Sequence, residues 1–188
     1  MDFEREMGVN FGAGAKAKAK VIELQKKFKN VYKFRCFDKH GNLKWEDVIE
    51  NLVVDEGLTL ELQEFFKGAA YTALHYLGLT GTTPSFAVGD DMTTHAGWTE
   101  VTAYDEANRI TLVWNAAAAK AIDNVGNEAT FTISANSTTI GGAFICTENT
   151  KGGSAGVLYG GGAFSAGDKV LDDNDTLEVT VTCSATSS

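Results

Sequence analysis

Val31-Tyr32-Lys33-Phe34-Arg35-Cys36-Phe37 alternates bulky strand formers with charged residues; Asp38-Lys39-His40-Gly41-Asn42 interrupts it, and Leu43-Lys44-Trp45-Glu46-Asp47-Val48 resumes the same period. A period of two places Tyr32, Phe34 and Cys36 on one side of an extended chain and Lys33 and Arg35 on the other. A glycine in the polar break supplies the positive φ that a tight reversal needs. The stretch therefore predicts a β-hairpin, and with it an antiparallel sheet as the frame of the fold.

The chain downstream extends this frame. Asn51-Leu52-Val53-Val54 reads as extended, and Asp55-Glu56-Gly57 leads into Leu58–Phe66. There Leu58, Leu62, Phe65 and Phe66 fall on one helical face and Gly68 offers a stop. From Tyr71 onward the strand candidates are Tyr71–Leu79, Thr99–Tyr104, Ile110–Asn115, Ala129–Ala135, Thr138–Thr147, Val157–Tyr159 and Thr176–Cys183. Clusters of Gly, Asn, Asp and Ser separate them, and Thr80–Ser85 holds the only proline, Pro84. Ala116–Ala121 reads as a helical turn or a loop. Many short strands with little helix between them predict a mainly β chain, a β-sandwich or jelly-roll-like body with one short helix. The Thr/Ser/Gly-rich strands near the end specify their own register weakly.

Upstream of the hairpin the character changes. Lys16, Lys18 and Lys20 alternate with alanine, and Val21, Leu24 and Phe28 then fall at helical spacing beside Lys26, Lys27 and Lys29. Residues 1–29 thus read as a basic N-terminal arm or short amphipathic helix, either ordering on a partner or packing on the body as a frayed terminus. Residues 30–188 form the body, with a hairpin and helix over 30–69 and a sandwich over 70–188.

Charge and composition narrow the function. The 188 residues carry 16 Lys+Arg against 25 Asp+Glu, and 11 of those cations stand before residue 51. The acidic remainder repels phosphate backbones, so the chain is expected to bind no nucleic acid. No apolar run approaches the roughly 20 residues of a membrane helix, and no signal segment opens the chain. Neither a membrane nor a classically secreted protein is expected. Cys36, Cys146 and Cys183 are odd in number and far apart, which fits three buried thiols in a reducing cytoplasm better than a disulfide scaffold or zinc site.

Candidate chemistry is sparse. His40 sits in the hairpin turn, His75 in an apolar strand and His95 in a Gly/Thr-rich loop, with no G-x-S-x-G and no motif around a cysteine. No catalytic residue, metal or cofactor is therefore assigned, and the chain is expected not to be an enzyme. Asp90-Asp91 with His95 has the donor types of a divalent-metal site, and Asp172-Asp173-Asn174-Asp175 those of a calcium site. Both read better as Asx turns, because the spacing of a calcium loop is missing. Gly152-Gly153 and Gly160-Gly161-Gly162 lack the phosphate-loop pattern, and in a β context mark bulges or close backbone approach. Tyr159 and Phe164 near them read as core or interface residues, with a sugar platform as the alternative.

Several stretches resemble a family of small structural proteins from tailed bacteriophages. They are Lys33-Phe34-Arg35-Cys36-Phe37-Asp38-Lys39-His40-Gly41-Asn42-Leu43-Lys44-Trp45, Asn51-Leu52-Val53-Val54-Asp55-Glu56-Gly57-Leu58, Tyr76-Leu77-Gly78-Leu79 and Gly89-Asp90-Asp91-Met92-Thr93-Thr94-His95-Ala96-Gly97-Trp98-Thr99-Glu100. Thr139-Ile140-Gly141-Gly142-Ala143-Phe144 and Gly156-Val157-Leu158-Tyr159 complete the likeness, which spans residues 31–183 and leaves the basic stretch unmatched.

The resemblance implies a non-enzymatic virion component, made in the host cytoplasm. An accessory head protein that decorates or cements the capsid is the expectation, with a tail, neck or fibre part or a glycan- or receptor-binding module as alternatives. Its partners would be the major capsid protein or other virion proteins and copies of itself, as in a trimer. On that view the arm contacts the partner: Lys16, Lys18, Lys20, Lys26, Lys27 and Lys29 by charge, Val21, Leu24 and Phe28 by apolar anchoring.

Overall fold

The computed structural model describes residues 27–67 and 75–186. The hairpin forms as its period predicts: β1 (Lys27–Phe37) and β2 (Leu43–Val53) pair antiparallel. Asp38 closes the turn, its Oδ1 accepting the N–H groups of His40 and Asn42 at 2.8 Å each, while Gly41 takes φ +83°. Tyr32, Phe34 and Cys36 face inward and are fully buried.

After the hairpin come α1 (Asp55–Lys67), β3 (Tyr76–Thr80), β4 (Glu100–Val101), β5 (Ile110–Thr111), β6 (Ala121–Asp123) and β7 (Ala129–Thr132). β8 (Thr138–Ile140), β9 (Gly142–Cys146), β10 (Leu158–Ala163), β11 (Lys169–Leu171) and β12 (Thr176–Thr186) complete the chain. The main sheet runs β4-β3-β9-β10-β2-β1-β12-β6, with β5 beside β3 and β7 beside β12; β8 and β11 form a separate pair.

β2 turns this sheet into two layers. Most of its length pairs with β1, but Leu52 and Val53 pair with Gly161 and Gly160 of β10. Across the body the layers meet again. Tyr104 bridges Ile133, Asp105 N–H donates to Thr132 O at 2.8 Å, and Asn115 N–H donates to Asp123 O at 2.7 Å. The result is a β-sandwich-like body whose layers are joined along both sides. Its interior draws Tyr32, Phe34 and Ile49 from the hairpin, Leu177, Val179 and Val181 from β12, and Leu77, Leu79 and Ile145 from the opposite layer into one core.

β3 and β9 are buried along their whole length because they are covered twice. Their inner face meets that core. The outer face carries a second cluster, in which Met92, Trp98 and Phe86 of the loop over residues 81–99 pack on Phe144, Leu158 and Tyr76. Glycines make the cover possible. A Cβ on Gly161 would stand 2.1 Å from the Phe86 ring, and one on Gly78 would stand 2.4 Å from the Phe144 ring. The reading of Gly160-Gly161-Gly162 as a site of close approach holds, and the register shifts between Leu158 and Gly160.

Two sequence expectations need correction, and two further points are specified more closely. β1 begins at Lys27, so Lys27, Phe28 and Lys29 belong to the sheet and not to an arm or helix. β1 and β2 lie in the middle of the main sheet. Thr138–Thr147 is two strands, because Gly141 breaks it and β8 leaves to pair with β11. Ala116–Ala121 is a loop, the second of its two alternatives, and it closes tightly. Ala118 and Ala121 exchange both backbone hydrogen bonds at 2.9 Å around Ala119 and Lys120, whose φ values are +50° and +66°. That is a two-residue hairpin turn made without glycine. Of the helix, Leu58–Phe66 is found within α1; the predicted stop, Gly68, and the first part of Tyr71–Leu79 lie outside the described residues.

Candidate functional site

α1 lies on the sheet in an orientation opposite to the one its apolar stripe predicts. A helix normally buries such a stripe. Here Leu58, Leu62 and Phe66 are 38%, 60% and 75% exposed. The face toward the sheet is instead small and acidic. Gly57 is pressed so close to β10 that a Cβ there would stand 2.4 Å from the Tyr159 carbonyl oxygen. Glu56 Oε2 accepts the Leu158 N–H at 2.8 Å, Glu61 Oε1 accepts the Tyr159 hydroxyl at 2.5 Å, and the Asp55 N–H donates to Val88 O at 2.8 Å. These bonds fix the rotation of the helix, and the leucines face solvent as a consequence. Val88, at the start of the helix, is exposed as well.

Between α1 and the end of the sandwich lies a groove of about 540 Å³. Leu60, Glu61 and Glu64 of α1 form one wall and the Ala118–Ala121 turn the other; Trp114, Tyr159 and Cys183 line it further, and Phe28 and Ala185 stand at the paired ends of β1 and β12. His75 also lines it, edge-on to Tyr159 at 5.8 Å between ring centroids and to Trp114 at 6.5 Å. Burial holds the imidazole pKa below its ordinary value, although Glu64 pulls the other way, so the ring is neutral at physiological pH. Its Nδ1 is buried without a hydrogen-bond partner among the described residues. The Cys183 thiol is pushed up to about 12 by burial and by Glu61. A thiol so held is protonated and a poor nucleophile.

Arg109 and its partners hold loops. Arg109, the buried cation of the acidic half, forks onto Glu100 through Nε–Oε1 at 2.9 Å and Nη2–Oε2 at 2.7 Å. It also donates to Glu148 O at 2.9 Å and Gly153 O at 2.6 Å, and lies 5.2 Å over the Phe144 ring. Cys146 beside it accepts a hydrogen bond from Nη1 at 3.4 Å, and burial raises its thiol pKa. Cys36 is raised to about 12, again by burial. Cys36 and Cys146 are buried and Cys183 partly so, and all three are free thiols.

Both aspartate clusters are turns, an Asx turn at Asp91 and a turn closed by Asp175 N–H to Asp172 O at 3.0 Å in the second. Asp91 Oδ1 accepts the N–H groups of Thr93 and Thr94 and the Thr93 hydroxyl, and Asp90 accepts the Ala87 N–H. Asp175 is buried, accepting the Asp172 N–H at 2.8 Å and the Lys44 ammonium at 2.5 Å. His95 stacks on Trp98 at 3.7 Å, remote from a nucleophile role. Tyr159 and Phe164 are 7% and 6% exposed, which places both in the core. Among the described residues no three His, Cys, Asp or Glu side chains gather around a metal-sized space, and no helix is long and apolar enough to cross a membrane.

Of the residues predicted to contact a partner, Lys16, Lys18, Lys20, Val21, Leu24 and Lys26 lie outside the described residues. Lys27 pairs with Thr186, Phe28 lines the groove, and Lys29 forms an ion pair with Glu50 at 2.5 Å. The outward stripe of α1 and the groove behind it escaped sequence reasoning. The one available signal was Gly57 within the first turn of an amphipathic helix, a position of close approach. Neither the protein-family models nor the curated proteins contain a match to this chain.

Proposed function

We propose that this chain is a non-enzymatic structural component of a tailed-phage virion, an accessory head protein that binds the capsid surface through α1. The observation that carries the reading is the apolar stripe Leu58, Leu62 and Phe66 turned to solvent. Burying such side chains against a partner is favourable by roughly 25 cal/mol per Å². The helix is held in that rotation by its bonds to β10. Two further points support it. The Cys146 and Cys183 thiols are held protonated, and the Asp91 and Glu56 carboxylates hold backbone amides. The resemblance over residues 31–183 gives the partner its class, a major capsid protein, with copies of this chain arranged around a symmetry axis so that a modest contact is repeated many times.

Quantitative mass spectrometry of purified particles tests this reading by counting the chain against the major capsid protein. Copy numbers near those of the shell protein are expected. A handful of copies would move the protein to the tail, neck or a vertex, and absence from clean particles would overturn the virion assignment. Leu62→Lys tests the helix: as a surface change it should alter stability by less than about 0.5 kcal/mol while removing most copies from the particle. Undiminished occupancy of that variant would exclude the stripe as the contact.

A further inference from the structure

We propose that the groove between α1 and the sandwich end binds a small organic ammonium ion, a primary amine on an apolar body, with its charge at Glu64 and its hydrocarbon against Trp114 and Ile122. The size suits such a ligand. The groove encloses about 540 Å³, within the roughly 300–1,000 Å³ of small-molecule sites. Much of its wall is hydrocarbon: Leu60 stands on α1, Ile145 on β9, and Ile122 on β6 just after the Ala118–Ala121 turn. An aromatic or aliphatic body leaves water there favourably.

Charge selects the head group. α1 brings two carboxylates to its wall, Glu61 and Glu64, against the single ammonium of Lys120, which is exposed in the opposite turn. Glu61 accepts the Tyr159 hydroxyl. Glu64 is half-buried and has no ion-pair partner among the described residues. A carboxylate partly withdrawn from water gains most from a cation brought to it. His75 feels the Glu64 charge, so the carboxylate and the ring share one end of the groove. There the His75 plane meets that of Tyr159 at 73° and that of Trp114 at 75°. Rings set nearly at right angles form adjoining sides of a box, and aromatic faces attract a cation held within about 6 Å.

His75 supplies the last feature. Its ring is kept neutral by burial and so does not repel a cation. Its Nδ1 has no hydrogen-bond partner among the described residues, and in the Nε2–H tautomer that atom is an acceptor. A buried acceptor left without a donor is costly. One ammonium N–H can meet Nδ1 while another meets Glu64, which favours a primary amine over a quaternary one. The inference is independent of the virion reading, because it uses none of the outward stripe of α1.

Three probes of one shape test the assignment on the full chain by equilibrium dialysis: phenethylamine, the neutral phenethyl alcohol and the anion phenylacetate. The amine should bind with a Kd of about 1 mM or below. The alcohol should bind about tenfold more weakly, since hydrogen bonds to charged groups are the stronger ones, and phenylacetate more weakly still. Glu64→Gln should weaken the amine by about tenfold, whereas Glu64→Asp, which keeps the charge, should hold it within about threefold. Ala117→Trp adds bulk to the groove from an exposed position and should remove amine binding. Melting curves matching the native chain show that each variant is folded. An amine Kd above about 1 mM, equal affinity for amine and alcohol, or equal losses in the two Glu64 variants would overturn the ammonium site. Amine binding that survives Ala117→Trp would place the ligand outside the groove and overturn the proposal as well.

Discussion

Arg109 is the residue whose loss should cost this fold most, and the cost can be worked from its surroundings. Its side chain is wholly buried and that of Glu100 is 9% exposed, so the pair was taken out of water together. Burial opposes the charged form of Arg109, but the Glu100 carboxylate and the Cys146 sulfur beside it raise its pKa. Arg109→Met keeps the apolar volume over Phe144 and strands the Glu100 carboxylate. Breaking a buried pair from one side costs about 3–5 kcal/mol. At roughly 2–4 °C per kcal/mol for a chain of this size, the melting temperature should fall by about 6–20 °C.

The Glu148 and Gly153 carbonyls lose their donors as well, so a second variant must separate the two causes. In Arg109→Met with Glu100→Leu no charge is left behind. Equilibrium urea denaturation should then return at least about 1 kcal/mol of the loss, because an apolar replacement of a buried ion pair is near neutral. A double variant as unstable as the single one would refute the argument and assign the role of Arg109 to the carbonyls. Arg109→Lys should also be destabilised, since one ammonium cannot reproduce a fork that reaches a carboxylate and two carbonyls.

Gly57→Ala sets two effects against each other: alanine improves helix propensity by about 1 kcal/mol, yet its Cβ would meet the Tyr159 carbonyl oxygen at 2.4 Å. Backbone cannot swing aside, so urea denaturation should show a net loss of roughly 1–3 kcal/mol, and a stabilised variant would mean that the helix is not seated on β10. His75 makes stability depend on pH. Its folded pKa lies below the ordinary 6.5, so the unfolded chain takes up the proton first. The contribution is present above pH 6.5 and is lost as pH falls from there toward the lowered folded value. Melting curves between about pH 7 and 5 should fall more steeply for the native chain than for His75→Gln; parallel curves would show that the buried imidazole carries no linkage.

How much of this was legible in the sequence depended on how local each signal is. The hairpin could be read because alternation and an Asp-to-Gly turn lie within eighteen neighbouring residues, and side-chain direction along a strand follows from the backbone alone. The β-rich class followed from many such short patterns. β6 and β11 carry too few residues for a period and went unread. The register of β12 could not be read from its threonines. It is set by Leu177, Val179 and Val181, which are buried between β1 and the opposite layer, and it runs unbroken from Phe37↔Thr176 to Lys27↔Thr186. Arg109 carries no local motif that would mark it in the sequence. Its partners come from residues 100, 146, 148 and 153, which adjoin only after β9 pairs with β3 and β10.

The helix shows the division most clearly. By itself the sequence determined that residues 58–66 would be helical and that Leu58, Leu62 and Phe66 would share a face, because a period of 3.6 is a property of the chain. Which way that face points was decided by tertiary structure. Gly57 permits contact with the Tyr159 backbone at a distance no side chain allows, and Glu56 and Glu61 find a backbone amide and a hydroxyl on β10. Those partners lie about a hundred residues away along the chain. A hydrophobic stripe records what can be buried; the shape and hydrogen-bonding groups of the surface beneath it determine whether it is.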